Sequence, residues 1–292
     1  MSRIWVMLLL LGIVAGAEAP QEAEKQILEY RLEPGARTLG LNRVTYSVTL
    51  SERMGLETVT RTESVQRTER FLDQVMRAGV GGIVEIKRTY NMAQVKIKND
   101  ENKRKVLEWS PMNGRTVRIL ERSRKREVKL EGRGVVDAFT RRTIGMELDW
   151  RDLFQDYPVG PGDVWDAETV ALGRRMAVYL SCGDKSRMRV RYEENVVREG
   201  RKQAKLYVDW TLEGMRDRHL FAKAQLAGDI YYDFVDQRIV EVDLGGSVRI
   251  NGTIMVGGKP KIIKGEGPLA LESTIKPAPI EAAAPGGNGE SK

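Results

Sequence analysis

Apolar and polar residues alternate with a period of two in segment after segment of this 292-residue chain. In the segment 43–50, one face of a strand would carry Val44, Tyr46, Val48 and Leu50. The same alternation recurs at 187–192, 204–210, 228–233, 238–244 and 247–254. Successive side chains of a strand point to opposite faces, so this period indicates half-buried strands. Many short strands separated by turn residues predict a mainly β fold of antiparallel sheets with few short helices.

Residues 147–166 interrupt the alternation. A short helix is expected at 149–155, and Pro and Gly then dominate up to Gly162, where a strand restarts. We interpret this stretch as a connection between an N-terminal β half, 20–146, and a C-terminal β half, 167–275. The halves are predicted to be similar curved sheets, because residues 107–117 resemble residues 231–240. The tail 276–292 has no core-forming pattern and is predicted to be disordered.

Glycines mark the expected turns. Asn113-Gly114 is a strong tight-turn signal, since both residues tolerate positive φ. We also predict hairpin turns at 79–82 and at Gly245-Gly246, and a turn at 251–253. Residues 69–78 fit either a helix or a strand, and a strand that enters a hairpin across 79–82 is favoured.

The N-terminus has the three parts of a signal peptide. Arg3 supplies a positive start, residues 4–14 are apolar, and Ala17-Glu18-Ala19 matches an A-x-A cleavage site. The apolar run is shorter than the roughly 20 residues that span a bilayer. Cleavage after Ala19 is therefore predicted, with a periplasmic or secreted mature protein that has no transmembrane segment.

Residues for common catalytic and metal sites are scarce. The chain has one cysteine, Cys182, and one histidine, His219. A single cysteine excludes an internal disulfide, and common zinc sites need several Cys or His ligands. His219 lies between charged residues and is predicted to be on the surface. We therefore expect no catalytic residues, no metal, no cofactor and no enzymatic activity.

The Pro- and Gly-rich stretch ends in a recognisable pattern, with Gly160, Gly162, Asp163 and Trp165 as its main residues. It resembles the P-x-V-x-x-G-D-x-W stretch of uncharacterised secreted or lipid-anchored bacterial β-proteins, which place the valine nearer the Gly-Asp pair. A second stretch, 228–233, is also similar. The resemblance implies a secreted β-sheet protein, distantly similar to the half-barrels of lipoprotein carriers, and it carries over no catalytic residue.

The same four residues have a structural interpretation of their own. Gly160 and Gly162 permit turn conformations, and Asp163 can accept hydrogen bonds from turn amides. Trp165 would then be a large buried anchor. We predict a scaffold role for this motif.

Basic residues are concentrated between 115 and 129. On a strand, Arg122, Arg124 and Arg126 would share one face and form a cationic stripe. Such a stripe could contact an anionic membrane surface or envelope polymer, or it could be a solvated face that discourages aggregation. No series of stacking aromatic residues accompanies it, so nucleic acid is not an expected partner.

These observations favour a non-catalytic extracytoplasmic binding or carrier protein for an apolar or amphipathic ligand such as a lipid. The alternative is a structural or interaction protein of the cell envelope that docks on anionic surfaces through the basic stripe. A carrier would need a roomy apolar cavity, whereas a docking protein would need the three arginines to be exposed.

Overall fold

A computed structural model describes residues 25–79, 83–99, 105–123, 125–168, 172–176, 185–215 and 219–278. The fold is mainly β, and all strand pairs are antiparallel, which confirms the fold class predicted from the alternation. The predicted signal peptide, Cys182 and most of the predicted disordered tail lie outside the described residues. Of that tail, Lys276 and Pro277 belong to the last strand.

Twelve strands form one sheet. Their bounds are β1 Arg37–Met54, β2 Glu57–Gly79, β3 Ile83–Asn99, β4 Lys105–Trp109, β5 Thr116–Arg122, β6 Lys125–Leu130, β7 Val164–Ala167, β8 Lys185–Arg198, β9 Arg201–Met215, β10 Leu220–Asp233, β11 Arg238–Val256 and β12 Lys259–Pro277. Two short helices, α1 Ala138–Thr143 and α2 Met146–Asp149, are followed by a 3-10 turn at Trp150–Leu153. Residues 172–176 are also helical.

The strand order is β6-β5-β3-β2-β1-β12-β11-β10-β9-β8-β7, with β4 paired to the free part of β3. Strands β6 and β7 are the two edges, so the sheet is open. The first and last strands pair in its middle, where Val44 lies opposite Leu271. Strands of both predicted halves therefore belong to one continuous sheet, and the division at 147–166 stays a prediction.

One face of the sheet, which we call the inner face, carries the core. In β9 the buried apolar members all lie at even positions, namely Ala204, Leu206, Val208, Trp210 and Leu212. The neighbouring strands present their own apolar set in register, for example Leu226 opposite Trp210. The inner face is covered by the 3-10 turn and by residues 172–176, with Trp150 packed edge-on against Trp210 at 6.1 Å between ring centroids.

A second apolar cluster lies at the β6 side of the sheet. It joins Phe71 of β2, Ile86 and Tyr90 of β3, and Ile119 of β5 to Leu148 of α2. Asp137 caps the N-terminus of α1, where its carboxylate accepts a hydrogen bond from the Thr140 amide at 2.9 Å. We call α1, α2 and the 3-10 turn, residues 138–153, the helical segment. Leu148 thus holds this segment over the inner face of β2, β3 and β5.

Two sequence predictions about turns are wrong. Gly245 and Gly246 lie inside β11 and do not form a turn, and Asn251-Gly252 lies in the same strand. A Cβ on Gly246 would lie 1.8 Å from the Gln225 carbonyl oxygen of β10, so the close approach of backbones explains this glycine. By contrast, residues 69–78 do form a strand that pairs with β3 across 79–82, as favoured.

The Asn113-Gly114 turn is present, and Gly114 has a φ of +71°. It does not close a hairpin, because β4 and β5 lie end to end along β3: Ile97 pairs with Val106 and Ile86 with Ile119. Residues 231–240, which resemble this region in sequence, do form a hairpin between β10 and β11. The resemblance between the two segments therefore does not extend to their structure.

Candidate functional site

The Gly-Asp-Trp motif forms the turn that leads into β7. The Asp163 carboxylate accepts a hydrogen bond from the Gly160 amide at 2.9 Å, and Gly162 has a φ of +93°. Trp165 is buried and donates from its indole nitrogen to the Leu153 carbonyl oxygen at 2.8 Å. Lys25, at 2.9 Å from Asp163, lowers the pKa of that carboxyl. All of these contacts are made within the chain, and the scaffold role of the motif stays a prediction.

The predicted arginine stripe is not a single face. Arg122 ends β5 and pairs with Lys125, whereas Arg126 of β6 pairs with Glu121. The turn between the strands reverses the chain, so Arg122 and Arg126 point to opposite faces. Arg122 is exposed, but the Arg126 side chain is only 5% exposed, and Arg124 lies outside the described residues. The prediction that Arg126 contacts an anionic surface is therefore wrong.

Arg126 instead belongs to a buried ion-pair network beneath the helical segment. Its guanidinium donates to Glu121 at 2.6 Å and to Asp149 at 2.9 Å. It also donates to the carbonyl oxygens of Ile144 and Gly145, at 2.9 and 2.8 Å, which fixes the start of α2. Asp149 further accepts from Arg175, and Glu121 from Arg151.

A second part of the network is centred on Arg88 of β3. Its guanidinium makes a bidentate pair with Asp73 of β2, with bonds of 2.7 and 2.6 Å. It also donates to Glu147 of α2 and lies 3.6 Å from the centre of the Phe71 ring. These contacts are almost fully excluded from solvent, since the side chains of Arg88, Asp73 and Glu147 are 1%, 9% and 3% exposed.

The network sets the protonation of its carboxylates. Burial acts to raise the pKa of Glu147, but Arg88 outweighs it and holds that pKa below its usual value. Burial also acts to raise the pKa of Glu121, but Arg126 and Arg151 outweigh this effect and lower that pKa below its usual value. Both glutamates are therefore charged at neutral pH. Asp73 differs from them, because its burial outweighs the pairing with Arg88 and raises the pKa of that carboxyl. The contacts of the network hold β2, β3, β5 and β6 to the helices above them.

A cleft of about 750 Å³ opens beside this network. Its wall is formed by residues 30–34, by the end of β2 at Ala78 and Gly79, and by Val84 of β3. Arg151 contributes a guanidinium that also donates to Glu121. Its Nε–H is buried and finds no hydrogen-bond acceptor among the residues that the structure describes.

Tyr30 connects the cleft to the network. Its hydroxyl donates to the Glu147 carbonyl oxygen at 3.3 Å. Burial raises the pKa of Tyr30 well above its usual value, so it stays a neutral hydrogen-bonding group. The cleft thus combines apolar surface from Leu32, Ala78 and Val84 with polar groups of four residues, namely Tyr30, Arg31, Glu33 and Arg151.

The remaining candidate residues have simpler places. His219 is exposed and directly precedes β10, as predicted. Asp233 is buried and accepts hydrogen bonds at 2.9 Å from the amides of Val235 and Asp236, so it shapes the β10–β11 turn. Within the described residues, no three Asp, Glu, His or Cys side chains are grouped to hold a metal ion. No helix in that part of the chain is long and apolar enough to cross a membrane.

Sequence reasoning missed the cleft and the network, although one signal for the network is present. Asp73 occupies the same strand parity as Phe71 and Val75, and Arg88 the same parity as Ile86 and Tyr90. A charge in the apolar phase of a strand indicates a buried ion pair. The cleft has no such signal, because its walls come from three separated segments.

No family model matches the sequence, and no curated protein matches it. Among solved structures, the chain is similar to a structure of lipovitellin reported for its lipid–protein interactions, with a TM-score of 0.42 and 10% identity over 87% of this chain. It spans about a quarter (27%) of the lipovitellin chain. It is also similar to an outer membrane channel of Pseudomonas putida F1, with a TM-score of 0.24 and 9% identity over 85% of this chain and 98% of that one. Since both TM-scores are below 0.5, we draw no conclusion about function from them.

Proposed function

We propose that this protein is a non-catalytic, extracytoplasmic binding protein for an amphipathic ligand with an anionic head and an apolar tail. The observation that carries the proposal is the cleft of about 750 Å³ at the β2–β3 end of the sheet. Sites for small ligands usually have about 300–1,000 Å³ and combine apolar walls with a few placed polar groups. The signal-peptide pattern of residues 1–19 supports an extracytoplasmic location.

The chemistry of the lining supports an anionic head. Arg151 has an unused buried N–H, and guanidinium groups bind carboxylates and phosphates through paired hydrogen bonds. Glu121 and Asp152 neutralise part of the Arg151 charge, with Asp152 Oδ1 at 3.9 Å from the Nε atom, so the ligand head would share this cation with carboxylates. Arg31 adds a second guanidinium to the lining, beside Glu33. Leu32, Ala78 and Val84 offer apolar contact to the tail.

The test uses the protein purified after export, with its N-terminus established by mass spectrometry. Organic extraction followed by mass spectrometry should release an amphipathic molecule. The delipidated protein should then bind a fluorescent long-chain carboxylate, 11-dansylaminoundecanoic acid, with enhanced emission. If extraction releases nothing and the probe does not bind, the proposal is wrong.

A matched pair of variants locates the site. Ala78→Trp places an indole in the cleft, whereas Ala270→Trp places one on the outer face of β12, away from it. We expect Ala78→Trp to weaken probe binding by at least about tenfold, which corresponds to about 1.4 kcal/mol. Ala270→Trp should bind as the unmodified protein does. Equal binding by both variants would exclude this cleft as the site.

A further inference from the structure

Two hairpins end side by side at the other end of the sheet. The β1–β2 hairpin turns at Gly55 and Leu56, and the β11–β12 hairpin turns at residues 257–258. They are neighbours because β1 pairs with β12 up to Met54 opposite Lys261. The 18 residues of β1 span about 55 Å at about 3.3 Å per residue, so these turns lie far from the cleft near its first residue. We name residues 52–61 and 254–264 the hairpin tip surface.

The hairpin tip surface exposes large aliphatic side chains. Leu56 is fully exposed at the turn, where glycine, asparagine or aspartate is usual. Met255 is 64% exposed. The other exposed members are Met54, Val59, Val256 and Ile262. Single exposed apolar residues need no explanation, but several together on adjacent strand ends indicate a surface that is covered in use.

Cations surround these side chains. The hairpin tip surface contains five basic residues and two acidic ones. Glu52 is already paired with Arg61 and Lys261. Arg53, Lys259 and Lys264 form no ion pair within the part of the chain that the structure describes. The surface therefore has a net positive charge that no carboxylate of the described chain balances.

From this combination we propose that the hairpin tip surface docks on an anionic lipid bilayer. Aliphatic side chains at protruding turns can enter the boundary between headgroups and acyl chains, while lysine and arginine contact anionic headgroups. A second copy of the chain fits less well, because two tips of the same positive charge would repel one another. Narrow turns also offer little of the roughly 800 Å² per partner that a stable interface buries.

The experiment is co-sedimentation of the exported, N-terminally verified protein with vesicles. Vesicles of mixed phosphatidylglycerol and phosphatidylcholine should bind it, vesicles of phosphatidylcholine alone should bind it weakly, and added salt should release it. The double variant Leu56→Asp/Met255→Asp should lose at least about tenfold in binding to the mixed vesicles. Both positions are exposed, so circular dichroism and the thermal midpoint should be unchanged.

Val235→Asp is the matched control. Val235 is 74% exposed in the β10–β11 turn at the opposite end of the sheet, and its replacement should leave vesicle binding unchanged. The proposal is overturned if the double variant and Val235→Asp bind the mixed vesicles equally, or if the unmodified protein does not bind anionic vesicles. It is also overturned if the protein is a dimer in solution that only the double variant dissociates, which would make the tips an interface between copies. None of these outcomes depends on the ligand in the cleft.

Discussion

Replacing Arg88 with methionine removes the cation that two buried carboxylates share. Asp73 and Glu147 would then remain under the helical segment without their guanidinium, in a site where Arg88 itself is 1% exposed. Breaking one buried pair costs about 3–5 kcal/mol, and Arg88 serves two carboxylates. We therefore expect the free energy of unfolding to fall by about 5 kcal/mol, at the upper end of that range. Methionine retains an unbranched stem, so apolar contact with Phe71 is largely kept.

Urea unfolding followed by tryptophan fluorescence measures this loss. The matched control is Arg249→Met, which breaks a pair with Glu266 whose two side chains are 64% and 61% exposed. Exposed pairs contribute about 0–1 kcal/mol, so the control should stay within about 1 kcal/mol of the unmodified protein. If Arg88→Met costs no more than Arg249→Met, the reasoning about the buried network is wrong.

A triple variant keeps the test informative if Arg88→Met alone does not fold. Asp73→Leu/Arg88→Met/Glu147→Leu removes the cation together with both carboxylates. Replacing a whole buried ion network by apolar residues of similar volume is often neutral or stabilising. We expect the triple variant to be more stable than Arg88→Met by several kcal/mol. A triple variant no more stable than the single one would show that uncompensated charge is not the cause.

Two further predictions concern pH and glycine. The folded-state pKa of Glu121 is lowered, so its contribution is fully present above its unfolded value of about 4.3 and is lost as the pH falls through the folded value. The difference in unfolding free energy between the unmodified protein and Glu121→Gln should therefore be large at pH 7 and shrink below about pH 4. Urea titrations at pH 7 and below about pH 4 measure this difference, and an equal difference at the two pH values would contradict the prediction. Gly246→Ala should lower the thermal midpoint, since its Cβ would meet the Gln225 backbone, while Gly245→Ala, with nothing within 4 Å, should not. Equal midpoints would contradict the role of close backbone approach.

The strands of this fold could be predicted from the sequence because their alternation is strong. Val44 and Leu50, for example, share the inner face as expected. The placement of the strands could not be predicted, since the pairing of β1 with β12 joins residues from Thr38 with Pro277 to Met54 with Lys261, which are far apart in the sequence. Such a pairing leaves no local pattern in either segment.

The errors on glycine and arginine have one physical origin. Glycine occurs at a turn because it tolerates positive φ, and it occurs in a strand where a Cβ would meet a neighbouring backbone. The sequence around Gly246 does not separate these two cases, because the backbone that it approaches belongs to another strand. Similarly, three alternate arginines share a face only if no turn separates them. The turn after Arg122 places Arg126 on the covered face, and a two-residue turn is easily missed within a run of basic residues.

The buried network also explains how Arg151 comes to lie beside the cleft. Helix α2 and the 3-10 turn have four residues each, and helices this short do not form on their own in water. Arg88 and Arg126 hold α2 through Glu147 and Asp149, and Arg126 binds the carbonyl oxygens at its start. Arg151 follows Asp149 by two residues, so its position beside the cleft depends on these ion pairs. Charges in the interior therefore serve here to position the Arg151 side chain, a task for which apolar packing alone gives less directional control.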